Sequence, residues 1–276
     1  MILLDAFRIL TNLNISLPKA DVYHVLEKIT KRDRQWLINN FDKPFNQKEN
    51  LEMIIEELQS GKPLAYILKE KYFFGFKFYV DSRVLIPRPE TELLVSEGLK
   101  FLEENPQAVV SDVCCGSGNI GISISKIKNI SINLIDISRE ALEVAQINSL
   151  KTKVNIFQGD YIWALIEQNI KSDLILVNPP YINKNDLEVK ESVFKYEPNL
   201  ALYAENNGLI FYKHLFVNYK KLINNLSKFK IVMEFGWNQK EELELMAHKF
   251  LDLETTSFNF LKDYSNNWRC IIIENR

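Results

Sequence analysis

Four consecutive residues, Asn178-Pro179-Pro180-Tyr181, combine a side-chain carboxamide, two rigid imides and a flat aromatic ring. Each proline removes a backbone donor and holds the chain extended, so the carbonyls of the segment stand free as acceptors. The Asn178 carboxamide adds another acceptor. A planar –NH2 group has two N–H bonds to satisfy, and this segment can take both while Tyr181 offers its face. An amide nitrogen is a poor nucleophile because its lone pair is delocalised. Accepting both N–H bonds raises the electron density on nitrogen and aims it at an electrophile such as a sulfonium methyl. In-line transfer then requires positioning more than a strong base or a metal. Asn178, Pro179 and Tyr181 are the catalytic candidates, and Asn178, Pro179, Pro180 and Tyr181 the substrate-binding ones. A proline-rich surface turn could carry the same residues, but these directly follow the apolar run Leu174-Ile175-Leu176-Val177.

A second constellation is Asp112-Val113-Cys114-Cys115-Gly116-Ser117-Gly118-Asn119-Ile120-Gly121, at a strand-to-helix turn. Gly116 and Gly118 let the backbone turn sharply and approach a ligand. The Gly-x-Gly-x-x-Gly spacing is by itself a weak sign of a dinucleotide. Asp112 shifts the reading, since a carboxylate there suits an ammonium group and repels a pyrophosphate. Asp136 closes the next strand, where ribose hydroxyls need an acceptor. Asp160 and Tyr161 follow the third strand and could frame an adenine, the carboxylate toward the exocyclic amine and the ring against the face. Any one of these carboxylates could be a helix cap. Three in register at successive strand ends favour a nucleoside ligand.

The elements that must position these residues change in grammar along the chain. Residues 1–70 read as a small helical domain. Ile2, Phe7, Ile9, Leu10 and Leu13 form one apolar face. Ser16 can cap a helix with Pro18 in its first turn and Val22, Val25, Leu26 and Ile29 inside. Asn46 can cap another, with Leu51, Ile54, Ile55 and Leu58 recurring before Gly61. Residues 71–90 begin with the aromatic run 71–80, which reads as a β-hairpin linking the two regions. Residues 91–276 alternate strand and helix, with strands at Val109–Val113, Ile132–Ile135, Lys153–Phe157, Leu174–Val177, Ile231–Phe235 and Cys270–Ile273. That alternation predicts an α/β fold, a mostly parallel sheet with helices on both faces.

Composition excludes several classes. With 46% hydrophobic and 25% charged residues the chain is neither disordered nor fibrous. Three cysteines, two of them adjacent, argue against a disulfide framework or a four-cysteine zinc site. His24, His214 and His248 show no metal-ligand spacing, and no metal is expected. The net charge of −2 gives no general attraction to phosphate backbones, so no direct nucleic-acid binding is expected. The basic cluster Lys31-Arg32-Asp33-Arg34 reads as a solvated helix end. No apolar stretch approaches the length of a membrane span, and the first residues do not read as a secretory signal, so a cytoplasmic protein is expected.

The residues also resemble a known family, the peptide chain release factor N5-glutamine methyltransferases, over nearly the whole chain. The resemblance is carried by Ile86-Pro87-Arg88-Pro89-Glu90-Thr91-Glu92, by Asn178-Pro179-Pro180-Tyr181-Ile182, by Tyr196-Glu197-Pro198 with Ala201-Leu202, by Glu234-Phe235-Gly236-Trp237, and by Asp263-Tyr264 with Arg269. It implies a Rossmann-like class I methyltransferase sheet behind a helical substrate-recognition domain. It also implies S-adenosylmethionine as methyl donor, leaving S-adenosylhomocysteine, and the glutamine of a release factor Gly-Gly-Gln motif as acceptor. Cofactor contacts are implied for Cys114, Cys115, Gly116, Ser117 and Gly118, and for Asp136, Tyr161 and Asn178. A monomer is expected. Cys114-Cys115 stands where the family usually has Gly-Thr, and Tyr161 where it often has tryptophan. Cysteine fits that turn if its backbone angles are ordinary. Arg88 and Glu90 could close over the cofactor, and Glu197 and Pro198 shape the mouth or brace the loop. A ribosomal-protein glutamine methyltransferase and a DNA adenine-N6 methyltransferase use similar Asn-Pro-Pro-Tyr logic. The latter needs a flipped base and a basic recognition region, which this chain lacks.

Overall fold

The computed structural model describes all residues except 14, 16, 184–190, 226 and 227, so the expected Ser16 cap lies outside the described residues. The chain divides into two compact units, Met1–Lys69 and Glu70–Arg276.

The first unit contains α1 (Leu3–Thr11), α2 (Lys19–Thr30), α3 (Arg34–Asn39), α4 (Lys48–Gln59) and α5 (Leu64–Leu68). Its core gathers Leu3, Ala6 and Leu10 with Val22, Val25, Leu26, Leu37, Phe45, Leu51 and Leu68. The inner face of α1 is rotated from the expected one. Ile2 and Ile9 are exposed, and the smaller Ala6 is fully buried where the helices approach. Pro18 occupies the N-cap position of α2 rather than its first turn, and Gln47, not Asn46, that of α4. Helix α3 has a side-chain cap, Asp33 accepting from the Trp36 amide at 2.7 Å. The neighbouring cations serve the unit itself. Arg34 pairs with Glu27 at 3.3 Å and lies over the Tyr23 ring, and Arg32 lies over Trp36. Gly61, at φ +84°, follows α4 where L side chains are strained.

The second unit opens with the expected hairpin, β1 (Lys71–Phe73) and β2 (Phe76–Phe78), antiparallel. Its two-residue turn puts Phe74 and Gly75 both at positive φ, as a primed hairpin turn requires. A 3-10 turn over Pro89–Thr91 then leads into α6 (Glu92–Glu104). The main sheet contains β3 (Val110–Val113), β4 (Ile132–Asp136), β5 (Val154–Gln158), β6 (Leu174–Val177), β7 (Lys230–Glu234), β8 (Thr256–Lys262) and β9 (Trp268–Asn275). Their order is β5-β4-β3-β6-β7-β9-β8, parallel through β7 and antiparallel at β9 and β8. β8 is missing from the expected strands, although Phe258 and Phe260 alternate within it.

Strand alternation divides the core between the two faces of the sheet. Leu174, Leu176 and Val232 pack with Leu94, Ile120 and Ile124 of α6 and α7 (Asn119–Lys128), over a cluster that also takes Phe73 and Phe78. Ile175, Val177, Ile231 and Met233 face the opposite way. They pack with Ile162 of α9 (Tyr161–Glu167), Phe216 of α12 (Ile210–Leu222) and Leu243 of α13 (Lys240–Phe250). Between β4 and β5 runs α8 (Arg139–Asn148), capped by the Ser138 side chain, which accepts from the Ala141 amide. Among the described residues no helix is long and apolar enough to cross a membrane.

Candidate active site

The sheet order reverses between β3 and β6, and in open α/β sheets ligands bind outside the carboxyl ends of the strands at such a reversal. A cleft of the unit lies there. It encloses about 1030 Å³ including its open mouth, and its wall takes Cys114–Ser117 from the turn after β3, Asp136 from β4, Asp160 and Tyr161 from beyond β5, and Asn178 and Pro180 from beyond β6.

The turn after β3 is built for close approach. Gly116 and Gly118 adopt φ +53° and +76°, and a Cβ on Gly118 would stand 2.6 Å from Ile122 Cδ1. Asp136 fixes the turn from the side, accepting from the Gly116 amide at 2.8 Å and the Ser138 amide at 2.9 Å. Each carboxylate oxygen retains a lone pair for a hydroxyl in the cleft. Burial pushes the Asp136 carboxyl above the usual range, against those two amides.

Several expected positions turn out differently. Asp112 is fully buried and not on the cleft wall. Alternation sends it to the same face as its registered neighbours Leu134 and Leu176, where it accepts from the Gly121 amide at 2.8 Å. Through Oδ2 it anchors the start of α7, while its buried Oδ1 has no hydrogen-bond partner among the described residues. Cys114 adopts φ +60°, so the condition of ordinary backbone angles is not met, and a side chain occupies a left-handed position that glycine fills without strain. Burial pushes both the Cys114 and Cys115 thiols well above their ordinary range. Tyr161, also left-handed at φ +46°, is 3% exposed and meets Phe211 edge-on at 4.9 Å. Its ring is a core side chain at the edge of the cleft rather than a free platform, and Phe211 shares the wall with it. Pro179 is buried and Tyr181 half-buried, and neither is on the wall.

Asn178 is held by a network that the motif alone does not reveal. Its Nδ2 donates to Thr91 Oγ1 at 3.3 Å, and Thr91 donates to Glu234 Oε2 at 2.6 Å. The Tyr181 hydroxyl donates to Glu234 Oε1 at 3.1 Å, so both ends of the Asn-Pro-Pro-Tyr segment reach one carboxylate at the end of β7. Burial raises the Glu234 carboxyl, opposed by the Thr91 hydrogen bond, the Arg269 charge and the Tyr181 hydrogen bond. The segment is braced from behind as well. Gln239 Nε2 donates to the Tyr181 carbonyl at 3.0 Å and the Asn207 carbonyl at 3.1 Å, and the Ile182 amide donates to the Leu202 carbonyl at 3.0 Å. Arg88 and Pro198 are on the wall, and Glu90 is not. Glu197 binds the Arg88 guanidinium and the Ile86 amide, so it ties the 86–88 segment in place.

Thr91, Gln239 and Gly208 were absent from the sequence-derived site. Of the three, Gly208 had a legible signal, an Asn206-Asn207-Gly208 run typical of left-handed turns. All three of these residues have φ between 53° and 83°.

Asp112 also gives the fold a pH dependence. Burial pushes its carboxyl up to about 7, against the Gly121 hydrogen bond and with the Asp136 charge adding to the rise. The folded state therefore keeps a proton that the unfolded chain releases near pH 4, and this part of the stability falls as pH rises from about 4 to about 7. Asp112→Asn cannot titrate. Its stability relative to the parent protein is expected to grow by roughly 2–4 kcal/mol across that window and to level off above it. Melting temperatures of the two proteins from pH 4 to 9 test this, and a constant difference would show that Asp112 ionises normally.

With this geometry in place, comparisons with known proteins become specific. A family model described as "Methyltransferase small domain" matches residues 90–232, and one described as "PrmC N-terminal domain" matches residues 2–68. The chain is similar to the release factor glutamine methyltransferase of Mycoplasma mycoides, 41% identical over 271 residues that cover 96% of this chain and 95% of that protein. It is also similar to the enzyme of the same name from Clostridium acetobutylicum, at 33% identity covering 98% and 96%. A solved structure of a putative S-adenosylmethionine-dependent methyltransferase from Streptococcus mutans shares the fold at a TM-score of 0.53, with 8% identity, covering 75% of this chain and 56% of that one. Family models and relatives agree along almost the full length, and the chain belongs to the release factor glutamine methyltransferase family.

Proposed function

We propose that this chain transfers the methyl group of S-adenosylmethionine to the side-chain amide nitrogen of the glutamine in the Gly-Gly-Gln motif of peptide chain release factors. One observation carries the reading. Asn178 stands on the wall of a single cleft with Asp136 and the glycine turn, its carboxamide nitrogen already committed to Thr91. The names of the relatives support the choice of substrate.

The cleft fits the cofactor by the chemistry of its donors and acceptors. Asp136 has lone pairs for ribose hydroxyls, the glycine turn brings backbone within reach of the amino-acid portion, and Ile137, Ala141 and Phe211 supply an apolar wall. Asp160, an exposed residue at the N-cap position of α9 with no side-chain capping bond, is free to accept from an exocyclic amine. When bound, S-adenosylmethionine supplies an electrophilic methyl on sulfonium sulfur. Asn178 Oδ1 accepts one N–H of the substrate amide, and a carbonyl of the Pro179-Pro180 segment takes the other. Nitrogen gains the methyl and afterwards loses one proton to solvent. Pro179 contributes rigidity, and Tyr181 fixes the far end of the segment through its hydroxyl. The helical unit 1–69 engages the release factor, and the enzyme works as a cytoplasmic monomer.

The test is transfer of a labelled methyl from S-adenosylmethionine to release factor, ribosomal protein and duplex DNA, offered separately. Label is expected in the release factor and lost when its Gly-Gly-Gln glutamine is replaced. Label in ribosomal protein or DNA alone would overturn the proposal. In the same system Asp136→Ala is expected to weaken cofactor binding about 10-fold, the loss of one charged hydrogen-bond acceptor. An unchanged dissociation constant by calorimetry would contradict the ribose assignment.

A further inference from the structure

The chain Asn178–Thr91–Glu234 has a direction, and that direction decides which end of the Asn178 carboxamide meets the substrate. Thr91 is 2% exposed and Glu234 1% exposed, so water cannot substitute freely for either partner. Two hydroxyls, those of Thr91 and Tyr181, converge on the two carboxylate oxygens of Glu234. Each hydroxyl has one proton to give, and both are aimed at Glu234, one at each carboxylate oxygen. Thr91 therefore spends its proton on Glu234 and presents a lone pair to Asn178. Only the –NH2 end of a carboxamide can answer a lone pair, so Oδ1 is left for the cleft. If Thr91 could donate toward Asn178 instead, the amide would be stable in the flipped orientation. It would then offer N–H bonds to a substrate that needs acceptors.

We infer that Glu234 acts through Thr91 as a positioning residue that fixes the polarity of the Asn178 carboxamide. The inference rests on the function proposed above and deepens it, since a donor at Oδ1 is what a substrate –NH2 group supplies. The same carboxylate holds the Tyr181 hydroxyl, so orientation and loop placement share one anchor. That anchor is itself seated. The Tyr212 hydroxyl donates to the Glu234 backbone carbonyl at 2.8 Å, and the Phe235 amide donates to the Arg269 carbonyl at 2.8 Å.

Thr91→Val keeps the shape of the side chain and removes the hydroxyl. With release factor as methyl acceptor, it is expected to lower kcat about 10–30-fold while KM for the release factor changes less than about threefold. Thr91→Ser, which keeps the hydroxyl, is expected to recover at least about half of the parent rate. In an Asn178→Ala background, Thr91→Val is expected to change kcat less than about twofold, because the relay has nothing left to orient. A structural role for Thr91 would instead add its full factor there. Should Thr91→Val melt below the assay temperature, Thr91→Ala replaces it, and kcat is expected to fall in the same way. A folded Thr91→Val or Thr91→Ala enzyme within twofold of the parent kcat overturns the relay, as does a full additional loss in the Asn178→Ala background. A parent protein that fails to label release factor at all would sink the proposed function instead, so the two failures are distinct.

Discussion

Replacing Asn178 by alanine is expected to lower kcat for glutamine methylation about 10²–10³-fold, the range seen when one preorganised polar group is removed from a reacting centre. The fold should survive. Asn178 is half-buried, and its one side-chain bond among the described residues, to Thr91, is long at 3.3 Å, so its loss costs about 1 kcal/mol of stability or less. Cofactor affinity should change less than the rate does, because Asp136 and the glycine turn are untouched. The physical reason for the large kinetic effect is that an amide nitrogen reacts only when both of its N–H bonds are held. The alanine enzyme leaves one unaccepted at the moment the lone pair must turn toward the methyl. Single-turnover transfer at saturating cofactor and release factor measures the step directly. Turnover within a few-fold of the parent would mean that another group polarises the amide.

Gly208→Ala is expected to be nearly as damaging to transfer, from a position that does not touch the cleft. Gly208 has φ +83°, and a Cβ there would lie 2.0 Å from the Tyr181 carbonyl oxygen and 2.7 Å from its carbon. No rotamer relieves a contact between two pieces of backbone, so the Asn-Pro-Pro-Tyr segment must move. Displacing a reacting group by an ångström costs on the order of 100-fold in rate. Stability should also fall, by about 3 kcal/mol, as overpacking adds to the strain of a left-handed alanine. Gly61→Ala is the natural comparison, for it has φ +84° with nothing within 4 Å of its Cβ. It pays for backbone strain alone, about 1 kcal/mol. Melting curves of the two variants and the kcat of Gly208→Ala separate clash from strain. Equal melting temperatures together with normal transfer would show that the loop yields without consequence.

How much of this was legible in the sequence depends on whether the signal is local. Strand–helix alternation placed β3 to β7 within a residue or so, since each buried strand is a continuous apolar run between polar turns. Asp136, Asp160 and Asn178 share the cleft wall because each sits at or just beyond a strand end, and register brings strand ends together. Asp112 misled for the same local reason. It lies one residue before the end of its strand, and period-two alternation points it away from the cleft toward Gly121. Thr91 and Gln239 could not be derived, because their partners lie 87 and 58 residues away in sequence. Cys114 could be recognised as a departure from the family, but only the backbone shows that it bears a left-handed strain.

Every described residue on the wall of the cleft lies between Arg83 and Phe211, whereas two residues that hold the catalytic segment, Glu234 and Gln239, come later. β7, which covers the flank of β6, is made after every wall residue, and β9 later still. During synthesis the walls therefore leave the ribosome before the parts that set their geometry, at a pace of roughly 5–20 residues per second. Until β7 arrives, β6 has an unpaired edge and Asn178 has no carboxylate to anchor its partner. A nascent chain that already displays both motifs is thus a silent enzyme. A premature stop between Phe211 and β7 should abolish methylation as completely as one within the motif itself.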